Sequence, residues 1–148
     1  MRLSSSAFEN DGTIPATYTC DGESVSPPLA IGDVPAGAKS FVLLMEDPDA
    51  LSFTWDHWII FNMPPSITEI PQGTQPEGIA GNNTRGQPTY IGPCPPDREH
   101  RYIFTVFALD TMLGLPEGVA KPAVQKAMQG HVIAQAELIG RYNRQPSS

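Results

Sequence analysis

The chain has 148 residues, with 9 Lys and Arg against 16 Asp and Glu and a formal net charge of −7. That balance, with no basic cluster in it, excludes the counterion-releasing surface of a nucleic-acid binder and bulk adsorption to anionic membrane. With 40% hydrophobic and 17% charged residues, the composition fits one globular domain spanning residues 1–148 whose core needs no metal or disulfide staple.

The 16 prolines and 13 glycines are scattered rather than periodic, which implies many turns and stiff loops and excludes a fibrous or low-complexity segment. No apolar run reaches bilayer-spanning length. The start, Met1–Ser6, lacks the apolar core of a secretory leader, so a cytoplasmic protein is expected.

In chain order, Leu3–Phe8 and Leu29–Ile31 are predicted as short edge strands. Phe41–Asp47 reads as a strand that is apolar on both faces until its end, and His57–Asn62 as a second. Between Met63 and Arg101 lies a proline-rich stretch without periodicity, the signature of functional loops or hidden short strands. Tyr102–Leu109 is a third long strand, buried on both faces, and Val132–Ile139 a fourth. One helix is predicted between them. Pro122 suits its first turn, Val124, Ala127 and Met128 share a face, and Gly130 suits the left-handed position that ends it. His131, just past that stop, reads as support for the helix C-terminus. The expected fold is mainly β: a Greek-key β-sandwich of two antiparallel-rich sheets with one or two short helices.

The polar residues at the strand ends carry the functional reading. Asp47 closes one strand and His57 opens the next, so antiparallel pairing puts both at one end of the sheet. Alternation along the third strand sets His100 and Tyr102 on a common face with Phe104, Val106 and Ala108. If that strand runs in the direction of the His57 strand, the four polar groups converge. Two imidazoles, a phenol and loop N–H groups are a donor set for a phosphate or carboxylate, with Asp47 or Asp49 orienting a ring. Proline-flanked Gly92 would hold the loop open and admit a ligand close to the backbone. Each residue also has a structural explanation. Asp47-Pro48-Asp49 is a turn sequence, His57 beside Trp58 a hydrogen-bonded core histidine, His100 a solvated strand end, Tyr102 a core filler, and Trp55 and Trp58 core or pocket wall.

Chemistry at this set is the weaker reading. There is no nucleophile elbow, phosphate-cradling glycine loop or His-Glu-x-x-His motif. Cys94 as nucleophile is enclosed by Pro93 and Pro95, and a metal held by two His and two Asp matches no recognised spacing. Cys20 and Cys94 are read as reduced, largely buried thiols, with a bond between them left open.

At these residues the chain resembles the phosphatidylethanolamine-binding protein family, in its bacterial Raf-kinase-inhibitor-like branch, over nearly its whole length. The resemblance rests on Cys20-Asp21-Gly22 with Ser26-Pro27-Pro28-Leu29, on Asp47-Pro48-Asp49-Ala50 with Trp55-Asp56-His57-Trp58, and on Gly92-Pro93-Cys94-Pro95-Pro96 with His100-Arg101-Tyr102. Gly130-His131-Val132 and Ala134–Gly140 add to it. It implies a β-sandwich with a small pocket for phosphate, acetate, cacodylate or phosphoethanolamine-like groups. The implied lining is Asp47, Asp49, Ala50, His57, Gly92, Pro93, His100 and Tyr102, with no cofactor, no metal and no enzymatic activity. Two departures are visible. Leu51 stands where many members have proline, which places an apolar side chain at the pocket rim. The segment Asn82–Tyr90 differs from the usual run and offers Arg85 as an extra anion donor. The short tail Asn143–Ser148 has no counterpart of the C-terminal helix that closes the site in mammalian members, so a more open pocket is expected.

The resulting expectation is a non-enzymatic binding protein for a phosphate or phospholipid head group, regulating a protein partner such as a kinase. Neither nucleic acid nor membrane insertion is expected, and a homodimer is compatible. The competing expectation is a hydrolase or lyase using an Asp–His acid–base pair.

Overall fold

The computed structural model describes residues 1–144. The expectation about the tail falls largely on residues 145–148, outside the described residues. The elements in order are β1 (Arg2–Ser4), β2 (Gly12–Thr13), a turn of 3-10 helix at Ala16–Tyr18, β3 (Leu29–Gly32), β4 (Ser40–Asp47), β5 (Trp55–Met63), β6 (Glu69–Ile70), β7 (Ile79–Ala80), β8 (His100–Leu109), α1 (Lys121–Met128) and β9 (Val132–Tyr142). They form a three-stranded sheet, β1-β3-β6, and a six-stranded sheet, β2-β9-β8-β4-β5-β7. Within the larger sheet β8 lies beside β4, with β5 and then β7 on its other side, which is the Greek-key order. Only the two-residue β2 pairs parallel, with β9.

β4 explains why its sequence is apolar without alternation. Phe41, Leu43 and Met45 face the small sheet, where they meet Trp58, Tyr102, Phe104 and Leu138. Val42 and Leu44 face α1 and meet Ile59, Phe61, Val124 and Met128. The large sheet is therefore the middle layer of three, and its central strands need apolar residues at every position. Each such side chain contributes about 1.5–3 kcal/mol through burial.

The helix follows its punctuation. Pro122 lies in the first turn, where no intrahelical N–H is lost, and Val124 and Met128 are the buried face. Gly130 adopts φ +81°, and the His131 N–H closes the end by donating to the Met128 carbonyl. No atom lies within 4 Å of a Cβ built on Gly130, so only backbone strain opposes a side chain there. Gly130→Ala should lower stability by about 1 kcal/mol, with Gly130→Asn costing less, in urea unfolding. Equal stability of all three proteins would show that the turn relaxes freely. The His131 side chain is also engaged, its Nδ1 lying 2.8 Å from Asp110 Oδ1.

The cysteines depart from the expectation of buried, reduced thiols. Cys20 and Cys94 form a disulfide, with Cα atoms 5.4 Å apart across a sequence separation of 74, and both residues are exposed. The separation is long enough that loop closure alone restricts the unfolded chain by roughly 4 kcal/mol in the chain-entropy model. The bond fastens the segment after the 3-10 turn to the loop preceding β8.

Candidate functional site

β4 and β5 pair antiparallel, with Asp47 opposite Trp55, and β8 pairs antiparallel to β4 on its other side. β5 and β8 therefore run the same way, and the condition for convergence is met. His57, His100, Tyr102 and Asp47 line one cavity of about 290 Å³ at this end of the sandwich. Ala50, Leu51, Trp55, Arg85, Ile91, Gly92, Cys94, Pro95 and Pro96 complete the wall.

His57 reaches the cavity through a feature alternation does not reveal. Trp58 faces the small sheet and Ile59 faces α1, so a regular strand would turn His57 toward α1 as well. The ladder runs from Met45–Trp58 directly to Glu46–Asp56, leaving His57 as the extra residue of a β-bulge. The bulge swings its ring round to the cavity, edge-on to Tyr102 with ring centroids 5.4 Å apart. Past the bulge Glu46 and Asp56 lie opposite one another. Lys121 Nζ bridges them, 2.7 Å from Glu46 Oε2 and 2.6 Å from Asp56 Oδ1. Burial opposes the lysine's charge, but the paired Asp56 and Glu46 carboxylates outweigh it and hold the ammonium form.

The two imidazoles are in opposite electrostatic states. His57 Nδ1 lies 2.7 Å from the Ile91 carbonyl, which only accepts, so Nδ1 carries the proton and Nε2 has no partner among the described residues. Burial pushes this ring below its ordinary value of 6.5, more than the Ile91 carbonyl, Asp47 and Asp56 raise it. His100 has Asp47 Oδ2 on Nδ1 and Asp97 Oδ1 on Nε2, both at 2.7 Å. Burial opposes its charge too, but the bonds to the two carboxylates win and hold it above 6.5. The sequence reading counted both rings as ligand donors. His100 instead spends both nitrogens on carboxylates, which keeps it from the role of solvated strand end and leaves only His57 Nε2 open. Tyr102 is pushed upward, first by burial and then by the Asp47 carboxylate, so its hydroxyl keeps its proton as a donor.

Asp47 serves both readings offered for it. Its Oδ1 accepts from the Asp49 N–H in a turn, while Oδ2 holds His100. Asp49 stands apart from the cavity lining. Its carboxylate is clasped by Arg101 through Nε, Nη2 and the backbone N–H, each at 2.9 Å. Those bonds hold its carboxyl at about 2 although burial works the other way. Pro93 is also absent from the lining; its carbonyl accepts from the Cys20 N–H. Gly92 borders the cavity, but its missing side chain makes room for protein. A Cβ there would lie 2.5 Å from Ser24 Oγ and 2.8 Å from the Tyr18 carbonyl.

Three contributors were hidden or undervalued in the sequence. Asp97, three residues before His100, supplies the second carboxylate. Cys94 enters the wall as half of a disulfide rather than as a thiol. Arg85 sits with its guanidinium carbon 5.8 Å from the centroid of the Trp55 ring. The loop carrying it is shaped by Asn83, whose Oδ1 accepts from the Arg85 and Gln87 N–H groups while its Nδ2 donates to the Thr89 carbonyl. No carboxylate among the described residues lies within ion-pair distance of Arg85. Leu51 and Phe53 stand largely exposed at and beside the rim.

Residues 4–143 match the family model of the phosphatidylethanolamine-binding protein. A Methanothermobacter thermautotrophicus protein called UPF0098 is 49% identical, covering 97% of this chain and 99% of its own. A UPF0098 protein of Chlamydia pneumoniae is 45% identical with the same coverage. Among solved structures, CT736 of Chlamydia trachomatis, described as a phosphatidylethanolamine-binding protein homologue, superposes with a TM-score of 0.95 at 44% identity and 97% coverage of each chain. YbcL of Escherichia coli, described as a member of the mammalian family, superposes at 0.90 with 28% identity, covering 97% of this chain and 98% of its own.

Proposed function

Because the chain belongs to the phosphatidylethanolamine-binding protein family, we propose that it is a non-enzymatic binding protein whose cavity takes a small anionic group such as phosphate or phosphoethanolamine. The observation that carries this reading is the wall itself. A guanidinium and an imidazole nitrogen, both without partners among the described residues, and a phenol hydroxyl border a hollow of head-group size. Arg85 supplies fixed positive charge over the Trp55 ring, and its planar fork suits an oxyanion. Asp47, also in the wall, accepts from a ligand's ammonium group.

The acid–base alternative has less support at His100 and Cys94. The Asp47–His100 pair resembles a catalytic dyad, yet Nε2 of His100 is bonded to Asp97 and presents no proton acceptor to a substrate. Cys94 has no free thiolate for nucleophilic attack.

The test is calorimetry with phosphoethanolamine on wild type and Arg85→Ala. Affinity should fall about tenfold, the loss of one solvent-accessible charge-assisted contact, while thermal stability stays unchanged. Equal affinity would remove Arg85 from the site. Wild-type binding of phosphate should also take up a proton at His57 Nε2, because a bound anion raises a ring whose free value lies below 6.5. Affinity should then strengthen as pH falls toward that value, once ligand ionisation is subtracted, and His57→Gln should abolish the proton uptake. The cytoplasm expected from the sequence is a reducing setting, where an accessible disulfide is exchangeable rather than permanent.

A further inference from the structure

Building on this binding reading, we propose that the Cys20–Cys94 bridge is a thiol–disulfide exchange site that sets how tightly the cavity holds its ligand. Three observations meet at this bond. Both cysteines are exposed residues, which places the bridge at the protein surface. Exposed disulfides are the more easily reduced ones. Cys94 is itself part of the cavity wall, together with Pro95 and Pro96.

The third observation concerns what else holds that wall. On one side, the Cys20 N–H donates to the Pro93 carbonyl at 3.0 Å; on the other, Asp97 is held by His100. Between these anchors, no hydrogen bond among the described residues ties Cys94, Pro95 or Pro96 to the rest of the chain. Two of the three residues have no N–H to offer. The sulfur–sulfur bond is thus the one covalent tie on this part of the wall, and only the packing of buried Pro95 supplements it.

The reaction needs a dithiol as reductant. Its thiolate attacks one cysteine sulfur, the protein disulfide breaks, and the other cysteine leaves as a thiolate that takes up a proton. The second thiol of the reagent then displaces the mixed disulfide. Two cysteine thiols remain in the protein, the reagent ends as a disulfide, and two electrons have passed to the protein. The freed wall must be ordered again whenever a ligand enters, so affinity falls without loss of any ligand-contacting group.

The experiment uses the full chain in native buffer. Oxidised protein is equilibrated with dithiothreitol, quenched by alkylation and weighed intact, while phosphoethanolamine affinity is measured for the disulfide form, the dithiol form and the Cys20→Ser variant. Both cysteines should be alkylated without denaturant. The dithiol form and the variant should bind about tenfold more weakly than the disulfide form, the cost of reordering a short wall segment. Reoxidation should restore affinity in wild type alone. A bridge that resists dithiothreitol until the protein unfolds would overturn the proposal, and so would equal affinity of the two redox forms. If neither form binds phosphoethanolamine or inorganic phosphate, the binding reading fails separately. Hydrogen exchange then decides the rest. Faster exchange of the Cys20 N–H, which donates to the Pro93 carbonyl in the disulfide form, supports the loosened wall after reduction, and unchanged exchange there rejects it.

Discussion

Asp47→Ala should destabilise the protein by about 3 kcal/mol near pH 6, seen as a lower urea midpoint with an unchanged slope. The Asp47 and His100 side chains are 5% and 1% exposed, and the 2.7 Å bond between them joins two charges withdrawn from water. Removing the carboxylate strands an imidazolium at the base of the sheet with only Asp97, itself one-third exposed, as partner. The turn after β4 loses its acceptor as well, because Asp47 Oδ1 holds the Asp49 N–H. Asp47→Asn keeps one acceptor and the side-chain volume and should cost less.

The pH dependence separates this pair from simple packing. The folded value of His100 lies above 6.5, so its stabilisation is whole below 6.5 and fades as pH rises through the folded value. The gap between wild type and Asp47→Ala should therefore narrow toward alkaline pH. His57 acts in the reverse sense: its folded value lies below 6.5, so its contribution is whole above 6.5 and drains away as pH falls toward the folded value. In wild type the alkaline limb therefore belongs to His100 and the acid limb to His57, and Asp47→Ala removes the first while leaving the second. A gap of constant size across pH 5–9 would contradict the charged state assigned to His100.

Gly92→Ala should cost about 2 kcal/mol and should also weaken phosphoethanolamine binding. The new methyl group would press on the Tyr18 carbonyl and the Thr19 Cα, 2.8 and 3.1 Å away, both main-chain atoms. That carbonyl is further pinned by the Tyr90 hydroxyl at 2.8 Å. Ser24 Oγ can rotate aside, but the backbone cannot, and the disulfide two residues on prevents the loop from backing off. Gly114→Ala is the control, since nothing lies within 4 Å of its Cβ position. Comparable losses in the two variants would show that the loop before β8 yields more readily than its anchors imply.

The four long strands were readable because their surroundings are uniform. Phe41–Asp47 is apolar at nearly every position since β4 has a layer on each side, and the observed strand begins only one residue earlier, at Ser40. β8 kept strict alternation from His100 through Ala108, so the face shared by His100 and Tyr102 followed from counting. The two-residue strands β6 and β7 fall in the proline-rich stretch where hidden short strands were one option, but neither they nor β2 could be placed, because only a distant partner defines them.

At the cavity, the residues themselves were legible in sequence, but most of their bonding partners were not. Asp49 sits one turn from Asp47, yet Arg101 on the neighbouring strand claims it, a pairing invisible until β4 and β8 are set side by side. His100 was taken for a donor because its partner Asp97 lies in a loop whose path no periodicity describes. Cys20 and Cys94 carry no local information across their separation of 74 residues, and only the meeting of two loops joins them. Arg85 depended on a loop folded around Asn83, an arrangement of side-chain-to-backbone bonds with no repeat to announce it.

The bulge at His57 gives the hairpin of β4 and β5 one spare residue at the end that borders the cavity. Side-chain facing in a strand reverses with every single-residue step. Deleting one residue from this arm would absorb the spare, regularise the ladder and hide the imidazole beneath α1, while both apolar layers and the distant end of the sheet stayed in place. A change of one residue in hairpin length would thus place His57 in the cavity or remove it, with the rest of the sheet register untouched.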